Sequence, residues 1–133
     1  MKKLLITTSM LIAILSFVFV GCGTNTTEGV YVMTKITCKS SQQDIKDAIN
    51  SLNKNVYTIR LTEDGVITQL YFDTEVFETK SLNAVYRIKS SSIQCQAADN
   101  SWEAFAKIKG SKITFEYKVG GNVIYVAEYT KNV

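Results

Sequence analysis

From residue 56 to residue 131 apolar and polar side chains alternate with a period of two, broken at intervals by Gly, Asn, Asp and Ser. Such alternation is the mark of half-buried strands joined by tight turns. Tyr57, Ile59 and Leu61 oppose Thr58, Arg60 and Thr62, and Asp64-Gly65 then turns the chain into a partner strand over 66–72. The stretch 73–81 is more polar and predicts at most a short strand over 76–79. Ala84, Tyr86 and Ile88 share a face in 83–89, and Ile93, Cys95 and Ala97 share one in 92–97. A strand over 102–109 ends at Gly110. The cleanest alternation is 112–119, with Ile113, Phe115, Tyr117 and Val119 against Lys112, Thr114, Glu116 and Lys118. Gly120-Gly121-Asn122 turns into a last strand over 123–131.

Ahead of this block the pattern differs. Residues 29–37 read as an opening strand, with Val30, Val32 and Ile36 on one parity. Ile45, Ala48, Ile49 and Leu52 then recur at helical spacing and give one apolar stripe. Ser40-x-x-Gln43 fits a capping box at the start of that helix, and Asn53-Lys54-Asn55 ends it. The stripe is narrow, so the helix covers another element rather than being wrapped by it. Residues 4–20 show no period at all. They are almost uniformly apolar, follow Lys2 and Lys3, and lead to Gly21 and Cys22, the layout of a secretory signal.

Two resemblances build on these patterns. Phe19-Val20-Gly21-Cys22 resembles the lipobox of bacterial lipoproteins, with Phe19 where that family prefers Leu. The resemblance implies cleavage before Cys22 and diacylglyceryl transfer to its sulfur; two or more acyl chains hold stably where one anchors marginally. The alternative is an ordinary signal or an uncleaved anchor helix with an incidental cysteine. Residues 1–21 are then a signal peptide, 22–28 a tether and 29–133 the folded domain. The protein sits outside the cytoplasm, on the cell membrane or an outer membrane, with the membrane as its first partner. The opening Gly29-Val30-Tyr31, the helical insertion, the strand into Asp64-Gly65 and the late Gly-rich hairpin resemble the small lipocalin-like lipoproteins of bacteria. That implies an all-β fold with one short helix, an antiparallel up-and-down lipocalin-like barrel of about eight strands, and no particular ligand.

Composition narrows the chemistry. Removing 21 of 133 residues leaves 112, enough for one domain with its own core. The signal holds two of the 15 Lys+Arg, so 13 basic residues face 12 acidic ones. A near-neutral domain has no electrostatic footprint for nucleic acid. Histidine is absent, which removes His-based acid/base catalysis, Ser-His and Cys-His nucleophiles and the commonest metal ligand. No phosphate-cradling Gly motif is present, and no cofactor or metal is expected. Asp73, Glu75 and Glu78 lack the spacing of a calcium loop and read as a solvated acidic turn. The expectation is a protein that binds rather than catalyses.

Cys38 and Cys95 remain once Cys22 is used. In an extracytoplasmic chain they favour a disulfide closing 58 residues, worth roughly 4 kcal/mol on the chain-entropy estimate; the alternative is two buried thiols. The aromatic residues Tyr57, Tyr86, Trp102, Phe115 and Tyr117, with Tyr71, Phe105 and Tyr125, either line a cup for a small apolar ligand beneath the helix or pack the interior themselves. For so short a domain the packed interior is favoured. A filled barrel would leave an envelope protein, met through the loops, as the partner.

Overall fold

The computed structural model describes residues 27–132. The lipobox, Cys22 and most of the tether lie outside the described residues. Eight strands run in sequence order around one closed antiparallel barrel: β1 (Gly29–Cys38), β2 (Thr58–Leu61), β3 (Val66–Asp73), β4 (Glu78–Lys89), β5 (Ser92–Gln96), β6 (Trp102–Lys109), β7 (Lys112–Val119) and β8 (Asn122–Lys131). The last strand closes on the first, from Tyr31 opposite Lys131 to Cys38 opposite Tyr125. This is the up-and-down barrel of eight strands that the resemblance to small lipocalin-like proteins implies. Among the described residues no helix is long and apolar enough to cross a membrane.

The register gives the barrel two unlike ends. At the tether end lie Gly29, the turns over 62–65, 90–91 and 110–111, and the end of β8. At the other end lie the turns over 74–77, 97–101 and 120–121, and the long excursion from β1 to β2. That excursion contains α1 (Gln43–Asn50) and a single 3-10 turn (Lys54–Val56). Ile45 and Ile49 of α1 are buried in the barrel core, and Ala48 and Leu52 pack against it, so the apolar stripe plugs this end as its spacing predicts. The capping box does not form. Ser40 Oγ accepts from the Gln42 amide at 3.1 Å, which turns the chain before the helix, and Gln42 at the N-cap makes no side-chain cap.

Inside, Tyr31, Ile59, Leu61, Ile67, Ile93, Ile113, Tyr125 and Tyr129 are each no more than 1% exposed and belong to one continuous cluster. Burying a side chain of this size contributes about 1.5–3 kcal/mol. Side chains therefore occupy the axis where a cup was the other option. Gln69, 1% exposed, enters this core, and its amide donates to the Tyr129 hydroxyl at 3.5 Å.

Three expectations are corrected. The polar stretch after Asp73 does not form a short strand over 76–79. Residues 74–77 are a turn, with Asp73 Oδ1 accepting from the Glu75 amide at 2.8 Å and Phe77 at φ +57°, and β4 runs unbroken from Glu78 for 12 residues. The disulfide is absent: Cys38 and Cys95 are both free. They belong to β1 and β5, separated by three strands in either direction, so the two thiols sit on opposite walls of the ring. Burial pushes the Cys95 thiol up to about 11. Trp102 does not face inward. Its ring lies 4.4 Å from the Arg87 guanidinium, and Arg87 is an exposed residue between the inward Tyr86 and Ile88. The cause is a bulge in β6, where Ile93 pairs with Ala106 but Gln94 with Ala104, leaving Phe105 as the extra residue and reversing the parity beyond it.

Candidate slit in the barrel wall

The same bulge helps to open the barrel. Strands β6 and β7 pair only from Ala106 opposite Phe115 to Lys109 opposite Lys112. Towards the helix end they part, so 102–104 are paired only with β5, Phe105 is the bulged residue, and 116–119 are paired only with β8. A second irregularity lies on the β7–β8 ladder, where Tyr117 pairs with Tyr125 but Lys118 with Val123, leaving Ile124 of β8 as the extra residue. Extra residues of this kind kink a strand and increase its twist.

A cleft of about 340 Å³ fills the gap, lined by Ser92, Ala104, Phe105, Ala106, Lys107, Thr114, Glu116 and Lys118. Its size is at the lower end of ordinary small-molecule sites. Ala104 and Ala106 leave the space open. The Phe105 ring lies against Phe115, with centroids 5.1 Å apart and planes tilted by 35°. The lip is polar: Lys107 and Lys118 bring positive charge, and Glu116 pairs with Lys118 at 3.7 Å. Both partners of that pair are exposed, so it contributes little to stability. An aromatic floor under a lysine-bearing lip suits a compact molecule with an apolar body and an acidic head.

The wall beside the slit is braced from within. Tyr117 stacks on Tyr125 at 4.9 Å and 9°, and Tyr71 lies 6.1 Å away. The Tyr117 hydroxyl donates to Asp73 Oδ1 at 3.0 Å, and Lys80 reaches Asp73 Oδ2 at 3.1 Å. The Glu75 amide, then Lys80, hold the Asp73 carboxyl below the usual carboxylate range. Burial raises Tyr31, Tyr86, Tyr117, Tyr125 and Tyr129 above an ordinary phenol, Tyr86 and Tyr129 to about 12.

These shifts fix the expected pH response. A carboxyl depressed on folding stabilises above its unfolded value of 3.8, and that stability is lost as pH falls through the lower folded value. Phenols raised on folding have the opposite effect. Their contribution is full below the ordinary phenol value of 10.0 and disappears as pH rises through the folded values, about 12 for Tyr86 and Tyr129. Denaturant midpoints should therefore be flat across neutral pH and fall on both sides. On the alkaline side, phenolate absorbance should lag until unfolding and then rise with it. Normal phenolate titration of Tyr31, Tyr86, Tyr117, Tyr125 and Tyr129 before unfolding would contradict their burial.

Of the aromatic residues singled out by sequence, Phe105, Phe115 and Tyr117 stand at this wall, with Tyr71 and Tyr125 against Tyr117. Tyr57 is buried, with its hydroxyl 2.7 Å from Thr79 Oγ1. Tyr86 lies at the tether end and donates to the Thr62 carbonyl at 2.8 Å. Trp102 is on the outer face. Sequence reading missed Ala104, Lys107, Glu116 and Lys118 as lining residues. The signal for the bulge is present in Trp102-Glu103-Ala104-Phe105-Ala106-Lys107-Ile108, whose apolar residues occupy both parities in succession. Among the described residues no three acidic or thiol side chains gather as a metal site requires. No protein-family model matches this chain, and no curated protein matches it.

Proposed function

We propose that this chain is an extracytoplasmic lipoprotein, tethered through Cys22, whose lipocalin-like barrel binds a small amphipathic ligand in the slit between β6 and β7. It acts by binding and holding, not by catalysis. The observation that carries the reading is the slit itself: a 340 Å³ cleft between two strand ends that no third strand fills. Phe105 and Ala104 would receive the apolar body, and Lys107 and Lys118 the acidic head. Attachment rests on the lipobox resemblance of residues 19–22.

Native mass spectrometry of protein extracted from its own host's membranes tests both halves. The expected spectrum shows acyl chains on Cys22, absent after Cys22→Ser, and a retained ligand lost in Ala104→Trp, which fills the cleft from an already exposed position. An unmodified Cys22 would remove the anchor. A wild-type protein without ligand, or one whose ligand survives Ala104→Trp, would remove the slit.

A second reading, an envelope-protein interaction module, is favoured by one feature. Val76 and Phe77 are 49% and 45% exposed at the tip of the β3–β4 turn. On that reading Ala104→Trp is silent, and Val76→Ser with Phe77→Ser abolishes capture of the partner.

A further inference from the structure

The two ends of the barrel differ in their balance of charge. Asp44, Asp47, Asp73, Glu75, Glu78 and Asp99 lie towards the helix end, on α1 and in the turns over 74–77 and 97–101 or at their margins. Lys39, Lys46, Lys54, Lys80 and Lys118 stand among these acids, whereas the tether end carries four lysines of its own. Lys89 closes β4, Lys109 and Lys112 flank the β6–β7 turn, and Lys131 ends β8. Lys109 and Lys112 are direct cross-strand partners, an arrangement in which like charges repel. Among the described residues Lys89, Lys109 and Lys112 form no ion pair. The acids of this end, Glu28, Glu63 and Asp64, gather elsewhere on the rim: Glu28 and Asp64 lie within electrostatic reach of Tyr86.

The tether meets the rim between the two sectors, with Glu28 on the acidic side and Gly29 beneath Lys131. The Lys131 side chain passes so close over Gly29 that a Cβ there would meet its Cε at 2.8 Å. The Lys131 amide donates to the Ser111 carbonyl at 2.8 Å, which joins this point to the Lys109–Lys112 turn. Cys22 precedes Thr27 by five residues, a span of at most about 18 Å when fully extended. A lipid on Cys22 would hold these lysines close to the headgroups, where each adjacent Lys adds attraction to an anionic surface.

We infer that the rim formed by Lys89, Lys109, Lys112 and Lys131 docks on anionic phospholipid headgroups, so that the barrel stands on the membrane with its helix end and slit directed outward. The inference rests on the lipid-anchor reading proposed above. Its basis is the placement of a repelling lysine pair beside the exit of the tether. The rim adds an electrostatic second contact to the acyl chains, and it fixes orientation, which the acyl chains alone do not.

Hydrogen–deuterium exchange on the mature lipidated protein in vesicles tests this. On vesicles with roughly a third phosphatidylglycerol, exchange in the turns over 90–91 and 110–111 should slow by about tenfold or more relative to pure phosphatidylcholine, and high salt should remove the difference. The turn over 120–121 should exchange alike on both. Lys109→Glu with Lys112→Glu should abolish the protection, as should Lys109→Gln with Lys112→Gln. Lys39→Glu with Lys46→Glu, at the helix end, should leave it intact. Equal protection on both lipids, protection at the helix end, or loss in the Lys39/Lys46 variant would overturn the orientation. Absence of acyl chains in the intact mass would instead show that the anchor reading had failed.

Discussion

Tyr125→Phe is expected to destabilise the barrel by about 3 kcal/mol, although it removes a single oxygen atom. Strand β2 has only four residues, so β3 runs past its end and Leu70–Asp73 has no strand on that side. The Tyr125 hydroxyl reaches in from β8 and takes the place of the missing strand. It donates to the Phe72 carbonyl at 2.7 Å and accepts from the Phe72 amide at 3.2 Å. Removing the hydroxyl strands two buried backbone groups, each worth about 1–3 kcal/mol when unsatisfied. Tyr129→Phe is the matched control on the same strand. Its hydroxyl meets only the Gln69 amide, at 3.5 Å, and its loss should cost about 1 kcal/mol. Urea denaturation of both variants measures the contrast, and equal losses would show that the hydroxyl of Tyr125 is not a structural bond.

The second large effect is expected at the plug. Ile49 is 2% exposed, and Ile49→Ala should cost about 3 kcal/mol, within the range for emptying a large core side chain. The response should be local as well as global. An eight-residue helix does not persist alone, so α1 holds its shape only while Ile45 and Ile49 stay docked. Amides of α1 should exchange much faster in the variant while those of β7 and β8 keep their protection. Lys46→Ala, on the exposed face of α1, should change stability by less than about 0.5 kcal/mol. Uniform acceleration across the barrel would mean that the helix and the strands open as one unit.

The difference between what sequence revealed and what it concealed has a physical pattern. Strand β7 was plain because its inner and outer faces meet different solvents: Ile113, Phe115 and Tyr117 are buried, and the lysines, threonine and glutamate between them are exposed. The helix stripe was plain for the same reason. The start of β4 was hidden because Glu78, Thr79, Lys80 and Ser81 are all exposed, so no burial contrast marks them as strand. Trp102 was misplaced because a bulge shifts parity without changing composition. The cysteine pairing failed because sequence separation carries no information about which side of a closed ring each strand occupies. The slit was illegible for a related reason. It arises where two neighbours in sequence stop pairing, and nothing in Trp102–Phe105 or in Glu116–Val119 taken alone announces that its partner is missing.

The seam between β1 and β8 has a consequence in time. A chain supplied from its amino end, whether by a ribosome or across a membrane, can fold its hairpins one after another as each arrives. The circle itself waits for Ala127 and Tyr129, which pair with Ile36 and Met33 almost a hundred positions earlier. Until then the first strand has an unguarded border, and any helper that escorts this molecule is needed until the final dozen residues have emerged.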